Sequence, residues 1–482
     1  MAGAAKPSSE AHRLSVRHVR VQDDNLLWTT GDGGGRDGRA SVDDILFTLA
    51  RSESARDQSA FIICCLQVNL EHPTQPFQLL LLAADAVPDQ LLNERGVSQL
   101  PSHLCSGNDN QVDVVVSVKS GLGLALTFWQ AVLRPLLELA HQVLGSSLQL
   151  PSAVVTEDAR SVRQFARTLQ RGQERGAPSS RTVILLSGDG GVVDLLNGHE
   201  AVSGSPRPLL ALLPLGTGNA LFHSLHKPVA SDPGPSPLVL GLRTLFLGAS
   251  ADLPVFQATF SPGAHTVSHV EVVKQTGGAP VARQDTPVST LHAAIVASYG
   301  FHASIVFESD TPEYRAHGDK RFGMVAQELL RESHPYKANL SVRSPSSARF
   351  EQDPHQKHAY ILVSMVSNLQ RAFTISPANK PLDGRLHLVH FGPVGGERTM
   401  DVMMKAYDGG RHVGMKWDDG EAVRYEEVGE VVVEALDDDA RWRKFCVDGI
   451  IVEVPKGGSM TVSRAPGMPF RILVDSQCQQ RA

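Results

Sequence analysis

The stretch Thr182-Val-Ile-Leu-Leu-Ser-Gly-Asp-Gly-Gly-Val-Val-Asp-Leu-Leu-Asn-Gly198 decides how this chain folds. Thr182 to Leu186 is a short, nearly continuous apolar run, as expected of a strand buried on both faces. The turn Ser187-Gly-Asp-Gly-Gly191 follows at once, and a short apolar helix then runs through Leu196 to a stop at Asn197-Gly198. The same order of events occurs twice more. Upstream, Val112-Asp-Val-Val-Val-Ser-Val118 leads into Lys119-Ser-Gly-Leu-Gly123 and a helical stretch, Ala125 to Leu139, with a kink predicted near Pro135. Downstream, Leu209-Leu-Ala-Leu-Leu213 leads into Pro214-Leu-Gly-Thr-Gly-Asn219 and a helix from Ala220. Between the first two units, Val154-Val155-Thr156 reads as a further strand and Ala159 to Leu169 as a helix. Apolar strands alternating with helices imply a mostly parallel sheet covered on both faces. Ligands of such sheets bind beyond the carboxyl ends of the strands, so the three glycine loops should face one crevice.

Outward from this α/β unit, assigned to residues 111–250, the pattern changes. Residues 1–110 hold the apolar runs Phe61 to Leu66 and Phe77 to Ala84 and read as a small strand-rich module of unknown role. Residues 251–482 read as a β-rich domain on antiparallel sheet. Its runs are Val267 to Val273, Thr290 to Phe307, Ala359 to Met365, Leu386 to His390, Val428 to Leu436, Ile450 to Val454 and Phe470 to Val474. One helical interruption is expected at Gly323 to Arg331, and Pro228 to Pro237 is a surface loop. Gly31 to Gly38 repeats the Gly-Asp-Gly-Gly letters, but it follows Leu26-Leu27-Trp28, too short for a convincing strand, and is expected to be a flexible loop. The acidic run Glu421 to Asp439 is expected to be a solvated face.

Composition removes several function classes. Among 482 residues, 51 acids against 45 bases give a net charge of −6, and aromatics make up 6%. A nucleic-acid binder would carry a basic excess and stacking aromatics, so no nucleic-acid partner is expected. Five cysteines, with Cys64 and Cys65 adjacent, form no disulfide or zinc pattern and point to a reducing compartment. The uncharged stretches Pro208 to His226 and Thr286 to Phe307 are broken by proline, glycine and polar residues and do not read as membrane spans. A cytoplasmic protein, attached at most to a membrane surface, is expected; Lys6, Arg13, Arg17 and Arg20 give only a faint transit-peptide character. His317, His334, His355 and His358 show no HxxxH spacing on a predicted helix and are expected to be solvated loop residues.

Glycine after a strand lets the backbone approach an anion, and the following helix offers unpaired N–H groups; together they suit phosphate. No GxxxxGK[ST], HRD, DFG or GxSxG pattern is present, which excludes a P-loop, a protein-kinase site and a nucleophile elbow. Asp189, flanked by glycines at a strand end, is placed either to hold Mg²⁺ or accept a proton from an attacking hydroxyl, or simply to form the turn. Arg315 and Arg321, with Lys320, form a basic cluster that is either a solvated face or a clamp for a transferring phosphoryl group.

These residues resemble the diacylglycerol-kinase-like lipid kinase superfamily, and within it the sphingosine kinase and ceramide kinase branch. The resemblance rests on Ser187-Gly-Asp-Gly190 with Leu195-Leu-Asn-Gly198, then Leu213-Pro-Leu-Gly-Thr-Gly-Asn-Ala220. Two further elements follow in order: Ser298-Tyr-Gly-Phe301 with Glu308-Ser-Asp310, Tyr314-Arg315 and Arg321-Phe322, and then Val447-Asp-Gly449. It implies a nucleotide domain like that of phosphofructokinase and NAD kinase, followed by a β-sandwich-like domain, with ATP between them. By position Asp189 would be the general base. Ser120, Gly121, Gly188, Gly190, Gly216, Thr217, Gly218, Asn219, Arg315, Arg321, Asp448 and Gly449 would meet the nucleotide, and Phe301 and Ser304 the lipid. Mg²⁺ would bridge phosphate oxygens, and a membrane lipid would be the acceptor. The chain departs from the family pattern at Ser117-Val118, where Asn-Pro is usual, at Ile450, where the pattern has Glu, and at Ser304, where Asp is common. Thr311-Pro312 is an insertion. Diacylglycerol phosphorylation, or a catalytically weak regulator of the same descent, are the alternative readings.

Overall fold

The computed structural model describes residues 12–31, 35–51, 59–72, 74–107, 109–144, 150–169, 180–200, 206–269, 286–318 and 320–479. Parts of the Gly31–Gly38, Val267–Val273 and amino-terminal readings lie outside these residues.

The three strand–loop–helix units form as their patterns require. Their strands, Asn110–Val116, Ser180–Ser187 and Leu209–Pro214, lie side by side and parallel, with Ser152–Val155 beyond the first. From Asn110–Val116 the chain goes outward to Ser152–Val155 and then crosses to the other side for Ser180–Ser187. This reversal leaves a crevice between the first and second glycine loops, the place where open α/β sheets take ligands. The predicted kink near Pro135 is a π turn at Trp129–Leu133, leading directly into the helix Arg134–Leu144.

The strand Arg471–Val474, expected in the β-rich domain, instead completes this sheet, pairing parallel with Leu209–Leu210 and antiparallel with Ala249–Asp252. Ile472, Leu473 and Val474 are all buried, the signature of a strand covered on both faces rather than one. A boundary at residue 250 therefore leaves out the last strand of the α/β sheet.

The rest of residues 251–482 builds two antiparallel sheets, one around Glu430–Ala435 and Ser459–Arg464, the other around Val296–Gly300, Tyr360–Ser364 and Leu386–Phe391. Val431, Val433, Met460, Leu388 and Phe445 from the two sheets share one core. The strand expected through Phe307 stops at Gly300. Its φ of +88° turns the chain, a β-carbon there would press on the Ala359 carbonyl, and Phe301–Glu308 is helical. The predicted helix spans Lys320–Glu332, and a further one, Gly396–Tyr407, packs beside it.

Three other expectations change. Leu26-Leu27-Trp28 lies in a true strand, Asn25–Thr30, hairpinned to Asp37–Ser41 with Trp28 opposite Gly38. Thus Gly38 belongs to a sheet, where the Trp28 ring occupies the space a side chain would need. The acidic run is not a bare solvated face: Glu426 pairs with Arg424, Glu427 with Arg385, Glu430 with Arg343, and Asp437 is buried against His334 and Tyr299. Of the four histidines, His317 is exposed, but His334 stacks on Trp442, His355 is half-buried and His358 is fully buried in a strand.

Among the described residues, the amino-terminal module is a seven-stranded sheet joined to the α/β domain. Phe47 meets Phe246 at 4.1 Å, and the Arg243 guanidinium donates to the carbonyls of Val42, Asp43 and Ile45.

Candidate active site

The three glycine loops touch one another. Ser120 Oγ, in the first loop, accepts from the Gly188 N–H of the second at 2.9 Å. A β-carbon on Gly188 would lie 2.8 Å from Gly216 Cα in the third loop, and one on Gly121, where φ is +54°, would meet the Leu215 carbonyl. These glycines are required by loop-to-loop contact as much as by any ligand. Gly190 differs, because a β-carbon there would enter open space on the exposed side.

Asn219 holds the third loop in shape. Its backbone is left-handed, with φ of 52°, and its buried side chain accepts from Gly216 N–H at 3.0 Å and donates to Gly216 C=O at 2.9 Å. The amide is thus engaged within the loop, leaving Thr217 and Gly218 as the loop's outward part. Gly218 stands beside Asp189 Oδ2 and the Leu369 carbonyl of the β-rich domain.

Asp189 opens the helix Asp189–Gly198. Its carboxylate accepts from Ala220 N–H at 2.7 Å and Leu221 N–H at 3.1 Å, the first amides of the next helix. Both readings of this residue therefore meet in one geometry: the carboxylate caps a helix, and it does so at the mouth of the crevice. Desolvation raises its proton affinity above the ordinary Asp range, and the two amides oppose that rise. Each oxygen keeps a further lone pair for a proton or a cation.

Asp448 comes from the opposite domain, at the turn between the strands Lys444–Val447 and Ile450–Glu453. Asp448 and Gly449 both take positive φ, 45° and 90°, and so form a tight hairpin. The carboxylate accepts from Ala294, Ile295 and Val296 N–H at 2.6 to 3.2 Å. Burial nevertheless pushes its pKa up to about 7, and the charge of Asp189 adds to the rise.

The remaining candidates are engaged with other partners. Arg315 forms a two-pronged pair with Asp310 at 2.8 and 3.0 Å, and Arg321 reaches the same carboxylate at 3.5 Å. Phe301 and Ser304 are buried in the helix Phe301–Glu308, where Ser304 Oγ bonds the Tyr336 hydroxyl at 2.9 Å. A lipid would meet neither without rearrangement.

Two contacts that sequence reasoning passed over fix the domains around the crevice. Asn197 donates to His292 C=O and accepts from His292 N–H, at 2.8 and 2.9 Å. Ser224 and the Asn368 backbone exchange bonds at 3.0 Å. Asn197-Gly198 was legible only as a helix stop. The helix does stop there, and as its last residue Gly198 gives room to Arg163 and Ala166 of the helix Ser161–Thr168.

The family model for the diacylglycerol kinase catalytic domain matches residues 111–242. Among solved structures, the fold is similar to a putative diacylglycerol kinase from Bacillus anthracis str. Sterne. One such structure is 12% identical, covering 77% of this chain and 99% of that one at a TM-score of 0.48. A second is 13% identical, with the same coverage and a TM-score of 0.48. No curated protein matches the chain in sequence. No helix among the described residues is long and apolar enough to cross a membrane.

Proposed function

We propose that this chain, a lipid kinase of the diacylglycerol-kinase-like superfamily by its catalytic domain at residues 111–242, transfers the γ-phosphate of ATP to a hydroxyl of a sphingoid base or ceramide-type lipid. The observation that carries the reading is the meeting of three glycine loops at the carboxyl edge of one parallel sheet, with Asp189 at the mouth. In this reading ATP lies along the loops. Gly190, Thr217 and Gly218 offer backbone to it, and the amino end of the helix Asp189–Gly198 faces its phosphates. Ser120, Gly121, Gly188, Gly216 and Asn219 keep the loops in contact. Asp448 and Gly449 close the site from the β-rich side.

Asp189 takes the proton of the lipid hydroxyl as the oxygen attacks the γ-phosphorus. The bond between that phosphorus and the β,γ-bridging oxygen breaks and ADP leaves. A carboxylate whose proton affinity is raised by burial suits this role, since its drive to accept a proton grows. Positioning and charge stabilisation supply most of the remaining catalysis. The residues fit Mg²⁺ held chiefly by phosphate: of the two acids, Asp189 is the one solvent reaches, while Asp448 is enclosed by amides. Mg²⁺ would neutralise charge on the phosphate oxygens. Arg315 and Arg321 would exchange Asp310 for phosphate when the site closes.

The order of motifs favours the sphingolipid branch; diacylglycerol is the runner-up acceptor. In this reading the protein reaches its membrane lipid by reversible attachment from the cytoplasmic side. One observation favours a weak regulator instead: both Asp189 oxygens already accept amide bonds. Full-length protein with labelled ATP, Mg²⁺ and micelles of sphinganine, ceramide or diacylglycerol separates the readings. Transfer to sphinganine or ceramide is expected. Transfer to diacylglycerol alone would move the substrate, and ATP binding without transfer to any lipid would remove the enzyme reading.

A further inference from the structure

The first three strands of the amino-terminal module, His12–Gln22, Asn25–Thr30 and Asp37–Ser41, form an antiparallel meander with two unlike faces. Val16, Leu26, Trp28 and Ala40 are buried in the core on one face. Strand alternation sends Arg13 and Arg17 to the other. A register shift between Arg17 and Arg20, with His18 at φ of +53°, then keeps Val19 and Val21 on the core side and Arg20 beside Arg17. Pairing completes the face. Arg20 stands opposite Leu27 and Leu27 opposite Arg39, while Arg17 stands opposite Thr29 and Thr29 opposite Asp37. Arg36 adds a cation in the connection just before Asp37.

Arg13, Arg17, Arg20, Arg36 and Arg39 are all exposed, and among the described residues none of their guanidinium groups has a hydrogen-bond or ion-pair partner. Arginines elsewhere on the surface have found acids: Arg134 pairs with Glu138, Arg385 with Glu427 and Arg398 with Asp419. The opposing charges near the face are Asp37 on it and Asp23 and Asp24 at the turn between the first two strands. A face with four arginines to one acid therefore stands on a chain whose net charge is −6. Arg51, which ends the neighbouring part of the sheet, has its proton affinity lowered first by burial and then by the charge of Arg13, so cations gather here rather than disperse.

We infer that the face bearing Arg13, Arg17, Arg20 and Arg39 is a docking surface for an anionic phospholipid bilayer. The inference rests on the lipid-kinase reading for the need of a membrane, and it gives the attachment in that reading a location. Strand spacing and rise spread the four arginines over roughly 10 Å by 20 Å. Charges so distributed meet several head groups at once, whereas a single phosphate is gripped by guanidinium groups that converge. Between the arginines lie Leu27 and Thr29, with no ring on which a base could stack, because Trp28 belongs to the core side. Each cation held near an anionic membrane strengthens binding about fivefold, so a few arginines suffice for attachment that salt reverses.

Full-length protein sedimented with phosphatidylcholine vesicles, with and without phosphatidylserine and in the absence of ATP, is the test. Binding is expected with phosphatidylserine alone and should fall steeply as salt rises. The triple variant Arg17→Ala/Arg20→Ala/Arg39→Ala should weaken it by ~100-fold, about fivefold for each cation removed. Its Tm should stay that of the wild type, since the three side chains hold no partner. Arg17→Lys/Arg20→Lys/Arg39→Lys keeps the charge and should bind within a few-fold of wild type. Arg411→Ala, an exposed position in the β-rich domain, should leave binding unchanged. Equal binding to the two vesicle types, or a folded triple alanine variant that binds like the wild type, would overturn the inference. Binding to a duplex oligonucleotide with none to vesicles would do so too. Sedimentation needs no turnover, so an absence of phosphoryl transfer would remove the kinase reading and leave this result standing.

Discussion

The charge of Asp189, in the α/β domain, raises the proton affinity of Asp448, which the β-rich domain presents from a hairpin turn. The two acids are 259 residues apart in sequence by their numbers.

A pH dependence follows. Asp448 has a folded pKa of about 7 against an ordinary 3.8, chiefly from burial, so the folded state holds its proton more tightly than the unfolded state. Stability from this group is fully present below about 3.8 and is lost as pH rises toward about 7. Asp189→Asn removes the neighbouring charge and should move the Asp448 titration downward, flattening the decline. Urea midpoints measured across this range for both proteins check it. Declines of equal steepness in the two proteins would contradict the coupling.

Glycines in the loops should divide into two groups. Gly216→Ala sets a β-carbon against the Gly188 backbone and should cost ~1–3 kcal/mol of stability. Gly190→Ala meets open space, so the fold should tolerate it while the KM for ATP rises. Thermal unfolding and ATP kinetics on the two variants separate the groups.

Asn219→Ala deletes both bonds to Gly216 and leaves a β-carbon in left-handed backbone. A loss of about 2–3 kcal/mol is expected from these together. Asn219→Gly, which relieves the backbone, should lose less; denaturant unfolding of the pair measures the difference.

The arginines offer a competition test. Asp310 holds both Arg315 and Arg321. Arg321→Ala should raise the KM for ATP about tenfold, the loss of roughly one charge-assisted bond to phosphate. Asp310→Asn releases both guanidinium groups and should lower it. An unchanged KM in both variants would place the arginines outside the nucleotide site.

The α/β half was readable because its strands are continuous apolar runs and its loops carry glycine where backbones collide. Arg471–Val474 was misplaced because a four-residue apolar run has no period that names its sheet; only the burial of three successive residues does. Phe301 to Phe307 is apolar in either state, and the turn at Gly300 that makes it helical is a backbone conformation, not a composition. Local spacing also hid the histidines. His358 and His390 are 32 residues apart, and the pairing of strands around Tyr360–Ser364 is what joins them. At the site, Asp189 and the glycines were legible, whereas the engagement of Asn219, Ser304 and Asp310 depends on partners that only the folded chain supplies.

Single-turnover phosphoryl transfer from ATP to the accepted lipid by Asp189→Asn, with ATP affinity measured alongside, tests the central claim most directly. Loss of the proton acceptor should lower the transfer rate by ~10²–10⁴, with ATP binding within a few-fold of wild type. Transfer that stays within a few-fold of wild type would contradict the role given to Asp189.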